Sequence, residues 1–112
     1  MGYDVHITRA VRWTEGEKSP VSLDEWKSFV ASDPDMRLEG YAEATTPAGE
    51  VIRVESEGLA VWTRHPEDRP VWLDWRRGNV IVKDPDPTIL QKMKEIAIAL
   101  NAHVQGDEGE EY

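Results

Sequence analysis

The chain has 112 residues, no cysteine and 39% hydrophobic side chains, with five tryptophans among them. That describes one domain of ordinary size, burying roughly 65% of the surface its unfolded form exposes, and it excludes disulfides, thiol catalysis and thiolate metal sites. A net charge of −9, from 13 basic and 22 acidic residues, disfavours nucleic acid and anionic membrane surfaces as partners.

From the N-terminus, Tyr3–Arg9 alternates Val5 and Ile7 against His6 and Thr8, the period of a strand with one buried face. Trp13–Pro20 is polar and reads as an exposed loop. Ser22-Leu23-Asp24-Glu25 has the capping-box spacing, with Ser22 as N-cap and Glu25 reaching back to its amide. Val21 and Trp26 are placed to form the hydrophobic staple, and Trp26, Phe29 and Val30 share one side of a short helix that Asp33-Pro34 ends. Met36–Ala44 reads as one strand whose small residues, Gly40 among them, accommodate a close helix. Thr46-Pro47-Ala48-Gly49 is a turn, Val51–Glu55 a strand, and Ser56-Glu57-Gly58 a second turn into Leu59–Arg64. His65–Arg69 connects onward.

The strongest local pattern lies at 71–83. Val71, Leu73 and Trp75 alternate with Trp72, Asp74 and Arg76, Asn79–Lys83 returns through β-branched Val80-Ile81-Val82, and Arg77-Gly78 forms the turn. That register sets Trp75 opposite Val80 and Leu73 opposite Val82. A second helix starts with Asp86 as N-cap and Pro87 at the first helical position. Ile89, Met93, Ile96 and Leu100 make its apolar stripe, and Asn101 ends it in the left-handed conformation. His103-Val104-Gln105 adds a short final strand. The acidic segment 106–112 is expected to be mobile unless Tyr112 docks. The prediction is a single α+β domain over 1–112, with an antiparallel sheet of about five to seven strands, those joined by tight turns forming a meander, and two helices packed on one face.

Chemistry-bearing patterns are sparse. His6-Ile7-Thr8 presents an imidazole and a hydroxyl from one strand face, as two-histidine phosphoesterases do, but that chemistry needs a second such triplet. Neither His65-Pro66-Glu67 nor His103-Val104-Gln105 supplies it. Asp84-Pro85-Asp86 and Asp107-Glu108-Gly109-Glu110 offer oxygen ligands without the spacing of a calcium loop. No nucleophile elbow or glycine-rich phosphate loop is present. No catalytic residue, metal ligand or cofactor is therefore predicted. What remains is surface recognition: Trp72, Asp74 and Arg76 lie on the strand face away from the core, with Tyr41 as a second exposed aromatic and Asp107 and Glu108 as acidic contacts. Aromatic groups beside Arg and carboxylates have the composition of binding hot spots. Packing of the Trp13–Pro20 loop over these residues is the competing expectation.

The stretches Tyr3-Asp4-Val5-His6-Ile7-Thr8-Arg9, Gly58-Leu59-Ala60-Val61-Trp62-Thr63 and Gln105-Gly106-Asp107-Glu108-Gly109-Glu110 resemble a group of short bacterial proteins. Small acidic proteins of that kind are similar to the immunity partners of polymorphic toxins. The resemblance implies a non-enzymatic inhibitor that binds a basic protein partner such as a toxin, and it carries over no residue roles. The alternatives are a small hydrolase or phosphoesterase-like enzyme using His6 and Thr8, aided by Arg9 or Arg76, and a structural protein without a small ligand. With no apolar run near the ~18 residues of a membrane span and no signal-peptide pattern, a cytoplasmic protein without membrane contact is expected.

Overall fold

The computed structural model describes residues 3–112, with the side chains of Tyr41, Ala42 and Val54 outside the described set. Eight strands and two helices follow in the order β1 (Asp4–Thr8), α1 (Leu23–Ser32), β2 (Met36–Leu38), β3 (Tyr41–Thr45), β4 (Val51–Glu55), β5 (Leu59–Trp62), β6 (Val71–Arg76), β7 (Asn79–Lys83), α2 (Pro87–Ala99) and β8 (His103–Gly106). Six strands form one antiparallel sheet in the order β2-β5-β6-β7-β1-β8, while β3 and β4 pair only with each other.

Local chemistry explains the element ends. Ser22 accepts the Glu25 amide while the Glu25 carboxylate accepts that of Ser22, so two orphan amides at the start of α1 are satisfied together. Asp86 accepts the Ile89 amide at the start of α2, and Pro87 occupies the first turn where no N–H is needed. Asn101, at φ 56°, ends α2, and the Ala102 amide returns to the Ala97 carbonyl. Arg77 and Gly78 both take positive φ, matching the right-handed twist of the β6–β7 hairpin.

Registers place Val5 opposite Val82, Ile7 opposite both Val80 and Val104, Trp75 opposite Val80, and Leu73 opposite Ala60. These residues line one sheet face. Trp26 and Val30 of α1 join Ile89, Met93, Ile96 and Ala97 of α2 in the same buried cluster, so both helices cover that face. Trp26 is fully buried and its indole N–H donates to the Gly58 carbonyl at 2.8 Å. Burial of such a ring is worth roughly 4–6 kcal/mol as an upper estimate. Lys92 of α2 reaches Asp33 at the end of α1 at 2.6 Å, tying the two helices together.

Two expectations are corrected, and the C-terminal segment takes a defined path. Met36–Ala44 is two strands in two sheets, because Gly40 turns to φ 76°; a Cβ there would meet nothing within 4 Å, so the glycine serves the turn and no helix approaches it. The run of strands from Met36 to Lys83 is not one meander: β3 and β4 form their own sheet, which leaves β5-β6-β7 as the consecutive strands of the larger one, and β1 lies between β7 and β8. The acidic C-terminal segment folds back along β8, the Tyr112 amide donating to the Val104 carbonyl at 3.0 Å and Gly106 to Glu110 at 2.9 Å. Among the described residues no helix is long and apolar enough to cross a membrane.

Candidate functional site

The sheet face turned away from the helices carries polar groups on β8, β1 and β6, with apolar Ile81 of β7 and Leu59 of β5 in the same row. Printed across β8, β1, β7, β6 and β5 is one row, Gln105, His6, Ile81, Asp74 and Leu59, each opposite the next. One end of that row is covered and the other is open.

The covered end lies under Trp13, which stands in a 3₁₀ turn at Trp13–Glu15. Its ring stacks on His6 with centroids 4.0 Å apart and planes 4° from parallel. The Trp13 amide donates to Gln105 at 2.7 Å, its indole N–H to the Asp107 carbonyl at 3.1 Å, and Asn79 donates to the Trp13 carbonyl at 2.7 Å. His6 is 2% exposed, and its Nε2 lies 2.9 Å from the Asp107 carboxylate, so that nitrogen carries the proton and donates. This contact, together with the Asp4 amide, holds the Asp107 carboxyl below its ordinary value against the opposing effect of burial. Beside it, Tyr3 hydrogen-bonds Glu110, which raises the phenol to about 12 and lowers the Glu110 carboxyl. Between this loop and the C-terminal turn lies a cavity of about 590 Å³ whose walls include Arg12, Trp13, Gln105, Asp107, Glu108 and Glu111.

The open end centres on Trp72, which is 39% exposed. Asp74 accepts from Ser56 at 2.6 Å and from Arg76 at 2.7 Å, so its two oxygens hold the turn before β5 and a guanidinium on the same strand. Trp72, Asp74 and Arg76 share a groove of about 380 Å³ with Leu59, Ile81 and Lys83. Apolar floor, one aromatic wall and charged rim make a surface suited to docking. The Trp13 loop leaves this half uncovered.

The structure separates the predicted interaction residues into two places. Trp72, Asp74 and Arg76 stand together at the groove; Asp107 and Glu108 stand at the cavity by the C-terminal turn. The side chain of Tyr41 lies outside the described residues. The residues named for the enzymatic alternative each have other partners, His6 in Asp107 among them. The Thr8 hydroxyl accepts the Ala10 amide, Arg9 crosses to Glu25 of α1 at 2.6 Å and to the Leu100 carbonyl at 2.9 Å, and Arg76 is held by Asp74. The Asp84 carboxylate accepts the Tyr3 amide, while Asp86 contacts His65 at 2.8 Å and Arg69 at 3.1 Å besides capping α2. Among the described residues no group of three His, Asp or Glu is placed to hold a metal ion.

Sequence reasoning missed Trp13 as the cover of His6, and His103 as a partner of Glu111 at 2.7 Å. Trp13 follows His6 by seven positions in an aperiodic loop, and Glu111 follows His103 by eight across a turn, so neither contact falls within a strand or helix repeat and spacing carries no signal. Comparison with protein-family models, curated proteins and solved structures finds no match to this chain.

Proposed function

We propose that the chain is a non-enzymatic binding protein of the immunity type, which inhibits a bacterial toxin by docking on a basic surface. The observation that carries this reading is Trp72, a large ring left 39% exposed on the uncovered half of a sheet in a protein of net charge −9. A solvent-facing indole bordered by Asp74 and Arg76 costs the free protein apolar exposure and returns it on association. The rest of the acidic surface, with Asp107 and Glu108 at one corner, steers a basic partner toward that anchor.

The experiment is a capture from host extract at low salt with two baits, the wild-type chain and Trp72→Ala, followed by reconstitution with the captured basic protein. Loss of the ring is expected to weaken the purified complex about tenfold or more, as for a hot-spot aromatic, and to leave thermal unfolding nearly unchanged. Equal affinity of the two baits for the same basic partner would remove Trp72 as the anchor.

A further inference from the structure

Local charge at the Trp72 groove runs against the charge of the whole molecule. The chain carries 22 acidic and 13 basic side chains, yet the groove walls hold three basic residues, Arg69, Arg76 and Lys83, against two acidic ones, Asp4 and Asp74. Arg69 is engaged by Glu67 and Asp86, and Asp74 by Ser56 and Arg76. Lys83 is exposed and makes no hydrogen bond or ion pair among the described residues. Asp4 stands opposite it on β1 and forms no ion pair with it.

The groove is also rich in donors that the protein itself does not use. The indoles of Trp13, Trp26 and Trp75 each give their N–H to a backbone carbonyl, whereas that of Trp72 has no partner among the described residues. Arg76 commits its Nε to Asp74 and keeps its two terminal nitrogens. Two positions along from the Asp74–Ile81 pair, Trp72 and Lys83 stand side by side on the outer face. An ammonium, an indole N–H and a guanidinium therefore border an apolar floor made by Ile81 and Leu59. The groove's volume, about 380 Å³, is that of a small-ligand site.

We propose that this groove binds a small aromatic monocarboxylate, its ring against Trp72 and its carboxylate on the Lys83 ammonium. Trp72 offers an exposed face for offset stacking, and Lys83 offers a charge-assisted hydrogen bond, stronger than one between neutral groups. The number of charges on the ligand follows from the surroundings. A protein of net charge −9 repels each negative charge brought to it, and Asp4 and Asp74 beside the cations reject a second one directly. One carboxylate is therefore accepted where a dianionic phosphate monoester is not. A neutral analogue forfeits Lys83, and a cationic one meets Lys83 and Arg76 as like charges. The site shares Trp72 with the docking surface proposed above but does not rest on that reading, because its ligand is small and its test needs only the purified chain.

The test is a titration of the protein with 2-naphthoate, 2-naphthamide and 2-naphthyl phosphate, followed through backbone amide NMR shifts. A ligand of that size in a shallow groove is expected to bind with a dissociation constant of ~0.1–1 mM. The largest shifts should fall on Trp72, Ile81 and Lys83, and the amide and the phosphate should each bind at least ~10-fold more weakly. Lys83→Gln is expected to reduce naphthoate to the level of the amide, and Trp72→Ala to abolish binding of both. Lys94→Gln removes the same charge from an exposed position on α2 and should leave naphthoate binding nearly unchanged. Lys83 is exposed and unpaired, so its variant is expected to keep the wild-type thermal midpoint and to decide the matter even where Trp72→Ala fails to fold. The proposal is overturned by naphthoate that does not bind up to ~10 mM, by an amide or phosphate that binds as well, or by shifts centred away from the groove. Equal losses in Lys83→Gln and Lys94→Gln would reduce the effect to net charge and overturn it as well. Failure to capture a basic protein from host extract leaves these titrations untouched, so the two readings fail separately.

Discussion

Several side chains in this protein serve two elements at once, and Glu25 is the most testable of them. It completes the α1 capping box and grips Arg9 through both oxygens, at 2.9 and 2.6 Å. Arg9 first, and then the Ser22 amide, lower its carboxyl from 4.5 to about 2. A folded-state value below the unfolded one stabilises the protein above the unfolded value, and that contribution is lost as pH falls through the folded one. Glu25→Gln keeps a capping-box acceptor and removes the charge. The variant is therefore expected to have a lower urea midpoint than wild type near neutrality, with the gap closing between pH 4.5 and about 2. A gap that persists at the acid end would assign the effect to something other than this carboxylate. Asp107 follows the same sign, chiefly through its hydrogen bond with His6.

Elements formed where local chemistry and burial agreed. Helix α1 has a cap, a staple and an apolar stripe pointing to the same ten residues, and Ser22→Ala is expected to cost about 1 kcal/mol in urea denaturation. The β6–β7 hairpin was equally legible, because two positive-φ residues at the turn and an alternating first arm specify one register. Met36–Ala44 misled for a physical reason. Alternation continues through Gly40, and periodicity alone does not reveal that one residue in the left-handed region redirects the backbone into a second sheet. Segment 106–112, expected to be mobile unless Tyr112 docks, was less legible: its charge signals solvation, while Asp107, Glu110 and Glu111 each have a partner in Tyr3, His6, Gln105 or His103.

For the whole molecule, salt tests the proposed capture of a basic partner. Capture of a basic partner depends on long-range attraction from a −9 surface, so its association rate is expected to fall steeply from low to physiological ionic strength in stopped-flow mixing. A rate that ignores salt would leave Trp72 as an anchor without electrostatic steering.

Alternation in β1 and β6, the β-branched run of β7, the caps of both helices and the matching apolar stripes were determined by the sequence itself, because each rests on groups within a few positions of one another. Those features were enough to imply an antiparallel sheet sheltered on one side by two helices. Tertiary structure alone decided that β1 enters between β7 and β8, that Trp13 lies over His6, and that Trp72 is left uncovered. These outcomes depend on contacts such as His6 with Asp107, 101 positions apart. Such contacts form only after the intervening chain has folded, so no local spacing encodes them.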